Sequence, residues 1–260
     1  LPNLYWRCYG PSGQGVLANS FSDSGPRALE LGGTYTLLIE GYIGDAANGT
    51  YAFNVVPVND ATQPLTLGST VTGTIGVPGQ FQKYTFTLPS SATLYFDSHT
   101  NNNLRWSLSD AGGVLVTNRS FSGSDAQTVG DPLLRLPAGN YDLVVSGSGD
   151  EVGTFRFRLF DLATAAVLTP GVAVNGTLNP GNETDAYRFN ASAGDRFNFS
   201  WITQTGIQNS YWRLIDPFGN RLFSRNTSSA GTNQLLATGT YTVLVEGYIG
   251  DIASGSYQFN

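Results

Sequence analysis

Side chains that carry catalysis or bind transition metals are scarce in this chain. Histidine and cysteine occur once each, as His99 and Cys8, lysine occurs once, as Lys83, and methionine is absent from the 260 residues. A Ser-His-Asp triad would have to use His99, which stands beside the polar run Thr100-Asn101-Asn102-Asn103 and reads as a surface residue. No G-x-S-x-G elbow accompanies it. A Ser-Lys dyad would need Lys83, inside a strand pattern. Zinc sites of the His/Cys type fail on count alone. The single Cys8 has no partner for an internal disulfide and reads as a small buried hydrophobe. No enzyme active site and no cofactor are expected. Charged residues make up 12%, with a net charge of −6 and no basic cluster, which excludes nucleic acid as a partner. No apolar run reaches the length of a membrane span. The missing methionine leads us to expect a removed leader or a longer upstream region.

What is abundant points to β-structure. There are 32 Gly and 12 Pro, together with 13 Tyr and 15 Phe, so turns are plentiful and apolar surface is ample. The chain is organised around one sentence, GTYTVLVEGYIGDIASGSYQFN from Gly239 to Asn260. It appears earlier as GTYTLLIEGYIGDAANGTYAFN, from Gly33 to Asn54, and in degraded form as GNYDLVVSGSGDEVGTFRFR, from Gly139 to Arg158. Each copy alternates, breaks at a Gly-rich loop and resumes, which is the signal of a β-hairpin. Three copies make a tandem array.

The register extends upstream. Trp6 and Trp212 are 206 residues apart, as are Asp45 and Asp251, while Trp106 falls between, 100 residues from one and 106 from the other. The elementary unit is therefore about one hundred residues, the size of one sandwich domain. Its opening strands occur only twice, at Val71 to Ile75 with Tyr84 to Phe86, and at Val174 to Leu178 with Tyr187 to Phe189. The expected division is a C-terminal half-module over 1–59, a complete module over 60–162 and another over 163–260. The junctions at Asn59 to Gly68 and Asp161 to Gly171 lead straight into strands, so a stiff rod is expected. Tyr35, Tyr141 and Tyr241 should lead strands whose Leu37, Ile39, Leu143, Val145, Val243 and Val245 face cores. The half-module should leave an apolar face that drives association with neighbouring repeats or other copies of the protein.

The order of these pieces resembles the bacterial pre-peptidase C-terminal domain, which is similar in fold to the collagen-binding domains of clostridial collagenases. The matching pieces are Val71 to Ile75, Tyr84 to Phe86, Asp216 to Asn220, Leu136 to Tyr141 and Gly255 to Phe259. The resemblance implies an all-β, jelly-roll-like antiparallel sandwich, carried on secreted proteases and surface proteins and not itself catalytic. The family's acidic run before the Y-x-F strand has lost its acids at Gly79 to Tyr84. It keeps Glu183 and Asp185 in the later copy, which argues against a shared calcium site there.

Two sets of residues remain as site candidates. Glu40 with Asp45, and Glu246 with Asp251, flank the Gly-rich loops and are chemically suited to calcium. An Asp after Gly equally suits a turn, where its side chain bonds the backbone, and this reading is preferred. Tyr42 and Tyr248 sit in the same loops and are the candidate contact residues for an extracellular polysaccharide or protein ligand. Trp6, Trp106 and Trp212 repeat with the strands and read as core. Two functions follow: a structural repeat segment of a large surface or matrix protein, or binding accessory modules of a secreted hydrolase or adhesin.

Overall fold

The structure, a computed structural model, describes residues 3–46, 48–124 and 128–260. All its extended secondary structure is β, organised around two closed cores preceded by an N-terminal segment. That segment holds β1 (Leu4–Tyr9), β2 (Gly15–Ser20) and β3 (Thr36–Gly41), paired in the order β2-β1-β3.

The middle unit follows with β4 (Ala61–Pro64), β5 (Thr70–Ile75), β6 (Phe81–Leu88), β7 (Ala92–Ser98), β8 (Arg105–Asp110), β9 (Gly113–Ser120), β10 (Leu133–Leu136), β11 (Gly139–Ser146) and β12 (Gly153–Asp161). They form a four-stranded sheet, β10-β7-β12-β5, and a five-stranded sheet, β4-β6-β11-β8-β9. Inward side chains alternate along each strand, as one buried face demands. Trp106 lies at the centre, fully buried, with the Phe96 ring stacked 4.0 Å from it.

The C-terminal unit comprises β13 (Ala166–Val167), β14 (Val174–Leu178), β15 (Thr184–Ala191), β16 (Arg196–Phe199), β17 (Trp201–Thr205), β18 (Tyr211–Ile215), β19 (Arg221–Asn226), β20 (Gly231–Gln234), β21 (Gly239–Glu246) and β22 (Gly255–Phe259). Here a five-stranded sheet, β13-β15-β21-β18-β19, covers a three-stranded one, β14-β22-β17, and the pair β16-β20. Trp212, Trp201, Phe199 and Phe259 fill the space between. Pairing is antiparallel except where β4 and β13 join their sheets parallel to β6 and β15.

Two expectations need correction. The repeated sentence is not a hairpin. In the middle unit its arms are β11 and β12, which lie in opposite sheets, and the same holds for β21 and β22. The Gly-rich loop is a corner from one sheet to the other. Tyr141, Leu143 and Val145 therefore face Phe155, Phe157 and Leu159 across the core instead of lying beside them. Alternation tells which face of a strand is apolar, and leaves open which strand it pairs with.

The first copy departs further. Residues 49–53, which match β22, form no strand, and Tyr35, Leu37 and Ile39 are only half-buried. Their counterparts Tyr241, Val243 and Val245 are buried. Among the described residues no second sheet lies beneath β1 and β3, and Trp6, half-buried, makes edge-to-face contacts with Phe21 and Phe53.

Candidate functional site

The candidate site is the junction between the middle and C-terminal units. Strands β7, β10 and β12 bury their inner residues in the middle core, and β15, β18 and β21 do the same in the C-terminal core. Their outer faces meet. Tyr95, Leu133, Phe160 and Leu162 from one side pack against Ile215, Leu244 and Ala186 from the other. These strands are therefore buried on both faces, which is why Leu94-Tyr95-Phe96 and Val243-Leu244-Val245 are apolar without a break. The connection is short: β12 ends at Asp161, and a 3-10 turn over Leu162–Thr164, capped by the Asp161 carboxylate on the Ala163 N–H, leads to β13. Leu162 of this turn belongs to the packed cluster, so the connector is part of the interface.

Polar groups close the junction around that apolar centre. One Glu246 carboxylate oxygen accepts the Tyr95 hydroxyl at 2.8 Å, and the other accepts Arg213 Nε at 2.7 Å. Both side chains of the ion pair are almost fully shielded, at 3% and 2% exposure. Arg213 also donates to the Gly130 carbonyl across the junction, as does Arg221. On the other flank Asp97 accepts from Arg158 at 2.9 Å, from the Thr184 N–H at 3.3 Å, and pairs with His99 Nε2 at 3.0 Å. Arg158 bridges onward to the Thr184 carbonyl and lies over the Phe160 ring. Complete burial, followed by the Glu246 and Asp97 charges, pushes the Tyr95 hydroxyl pKa well above its ordinary value. Tyr95 therefore stays a neutral donor to Glu246.

The structure separates the residues singled out as site candidates. Glu246 is a junction residue, its oxygens engaged by Tyr95 and Arg213. Asp251 Oδ2 accepts the N–H groups of Gln208 and Asn209 at 3.4 and 3.3 Å, bonding backbone as a turn-type Asp does, but on a neighbouring loop. Glu40 pairs with Arg7 at 2.7 Å, and Asp45 accepts from Asn3. No group of three or more His, Cys, Asp or Glu converges among the described residues. Tyr42 is half-exposed, and Tyr248 is at the edge of exposure.

His99 corrects the surface expectation. His99 directly follows β7, and its side chain, 1% exposed, turns back to pair with Asp97 of that strand. The polar run after it begins only where the strand stops.

Beside the junction opens a cleft of about 600 Å³, lined in part by Arg135, Asp161, Arg188, Asp216 and Thr242. Its charges serve the fold. Arg135 holds Asp131 and the Gly219 carbonyl, Arg188 holds the Ala165 carbonyl, and Asp216 caps the turn through Phe218 and Asn220. The acids retained from the resemblance lie elsewhere, at and just before the start of β15. Asp185 accepts the Tyr257 hydroxyl at 2.6 Å, Glu183 accepts the Asn179 N–H, and burial raises both carboxyls above their usual range.

No family model matches the chain, and no curated protein matches it. No helix among the described residues is long and apolar enough to cross a membrane. Among solved structures, the pre-peptidase C-terminal domain of the collagenase from Bacillus anthracis is similar over 41% of this chain and 99% of its own, at 15% identity and a TM-score of 0.30. Vicilin from hazelnut, Corylus avellana, is similar over 72% of this chain and 71% of its own, at 8% identity and a TM-score of 0.19.

Proposed function

We propose that the chain is a non-catalytic structural segment of a secreted or surface-borne bacterial protein, in which β-sandwich units lock to one another as a stiff tandem array. The observation that carries this reading is the sealed junction. Opening the junction would break the Tyr95 bond to Glu246, the Arg213 and Arg221 bonds to the Gly130 carbonyl and the Arg158 bond to the Thr184 carbonyl, and would expose the apolar cluster between the units, so other arrangements of the two units are disfavoured. The Leu162 turn leaves no slack for hinge motion, since opening the junction exposes it together with Leu244 and Phe160. Scarce charge, a single cysteine and a single histidine suit a load-bearing segment outside the cell more than a reactive one.

The test is a distance measurement between spin labels on cysteines replacing Thr117 on β9 and Arg225 on β19, in a Cys8→Ser background. A single narrow distance is expected, broadening when Leu244→Arg is added. A broad distribution in the otherwise unaltered chain overturns the reading.

A further inference from the structure

We infer that the outer face of the N-terminal segment is a second docking surface, whose occupant is a β-sandwich of the middle type joined ahead of it in the same polypeptide. This rests on the tandem-array reading and names the partner of its next interface. The 206-residue register sets the two copies side by side. Arg213, Ile215, Thr242, Leu244, Glu246 and Ile249 of the C-terminal unit become Arg7, Tyr9, Thr36, Leu38, Glu40 and Ile43. Strand pairing keeps the same frame, with Arg7 opposite Leu38 as Arg213 is opposite Leu244. The ion pair is already made, Arg7 Nε to Glu40 at 2.7 Å, the distance found for Arg213 and Glu246.

What differs is cover. Leu244 and Ile249 are 0% and 6% exposed, whereas Leu38 and Ile43 are 41% and 99% exposed. Ile249 lies at the end of the junction, lining with Ser98 and Ser124 of the middle unit a residual cavity of about 10 Å³.

The middle unit supplies the control. In its strands Ser107 takes the place of Arg213 and Ser146 that of Glu246, as the matching registers of β8 with β11 and β18 with β21 show. That face of the middle unit is partly exposed, and its own cross-strand ion pair, Lys83 with Asp142, stands at other positions, on β6 and β11. The Arg–Glu pair is thus not general strand grammar; it goes with the face that docks. A glycine speaks separately to the strand that completes the sandwich itself, not to the docking face. A Cβ on Gly247 would lie 1.9 Å from the Gly181 carbonyl oxygen, so the position demands glycine, while its counterpart Gly41 faces open space. The N-terminal segment keeps a residue required only when a neighbouring strand is present.

The chemistry of the occupant follows from the junction seen once already. Glu40 uses one oxygen on Arg7, and the other corresponds to the oxygen that takes the Tyr95 hydroxyl in Glu246. Leu38 needs an apolar seat like the one Leu133 and Phe160 offer Leu244. A second copy of this chain cannot offer its own middle unit, because the C-terminal unit already occupies that face. A middle-type unit tethered by a short turn, as at Leu162–Thr164, meets both needs.

The experiment uses the full chain and two fusions, all with Cys8→Ser and with Leu38→Cys as a thiol probe. In the long fusion a repeat of residues 55–206 stands directly ahead of Leu1, which restores the register of Gly206 before Ile207. In the short fusion only residues 163–206 are added, completing the sandwich without the docking unit. Thiol reactivity should fall at least about tenfold in the long fusion and not in the short one. Phe160→Arg placed in the repeat should restore it. A folded long fusion with a reactive thiol, or protection already complete in the short one, overturns the inference. The Thr117–Arg225 distance separates the two ideas. If it is narrow while the thiol stays reactive, only the docking inference fails, and if it is broad, the array reading itself fails.

Discussion

Residues 3–54 and 209–260 are copies in one register, and they end in opposite states. The strand order is shared, β2-β1-β3 in one and β19-β18-β21 in the other, and so are the registers and the Arg–Glu pair. In the C-terminal copy β15 pairs beside β21, a second sheet lies beneath, and the middle unit lies above. In the N-terminal copy β3 is an edge strand among the described residues, and Leu38 and Ile43 on its outer side are exposed. The lesson is that an apolar pattern states what a strand can bury, and its neighbours decide what it does bury. An identical pair at an identical distance is worth different amounts in the two places. At 48% and 43% exposure, water screens Arg7 and Glu40, whereas in the junction each charge depends on the other.

The largest effect should therefore come from Glu246→Ala. It leaves Arg213 charged without its buried carboxylate and removes the acceptor of the Tyr95 hydroxyl. A loss of about 3–5 kcal/mol is expected in urea unfolding, with no measurable change for Glu40→Ala. Equal costs for the two variants would break the comparison. Leu244→Ala comes next, at about 2–5 kcal/mol for a side chain with no exposed surface, against about 0.5 kcal/mol or less for Leu38→Ala.

A third pair tests backbone crowding. Gly247→Ala forces the Gly181 and Asn182 backbone to move and is expected to cost about 1–3 kcal/mol, while Gly41→Ala meets nothing within 4 Å. If Gly41→Ala proves as damaging, a neighbouring strand already lies against β3 in solution, and the thermal melts of the two variants will coincide.

Much of this architecture was legible in the residues. Alternation and turn glycines indicated β-sandwich units, and the Trp spacing indicated their period. The sheet assignment was not legible, because the inward set Tyr241, Val243, Val245 is the same whether β22 lies beside β21 or across from it. The junction left a fainter mark: Leu244 between Val243 and Val245, Tyr95 between Leu94 and Phe96, and Leu133 beside Leu134 are strands apolar on both faces. The pairing of Glu246 was not legible either. Its calcium reading came from the adjacent loop, while its partner, Arg213, lies on the paired strand, 33 residues earlier. His99 was hidden by the asparagines that follow it, although it stands two residues after Asp97, the β7 residue it pairs with.

The smallest effect concerns the last matched pair, Tyr51 and Tyr257. Tyr51 is half-exposed, whereas Tyr257 is buried and donates to Asp185. Burial raises the Asp185 carboxyl pKa, and the Tyr257 hydrogen bond only partly offsets this. The folded chain thus holds that proton more tightly than the unfolded chain, whose aspartates titrate near pH ~4. Stability contributed by this group is full below that pH and is lost as pH rises through the raised folded value. Asp185→Asn removes the ionisation and keeps an oxygen for the Tyr257 hydroxyl. Its melting temperature should match the wild type near pH ~4, exceed it by a few degrees as pH rises, and hold a constant lead above the folded pKa. Melts of the two proteins across pH decide the matter. A variant less stable than the wild type at neutral pH would mean that the charged carboxylate gains more from Tyr257 than burial costs it.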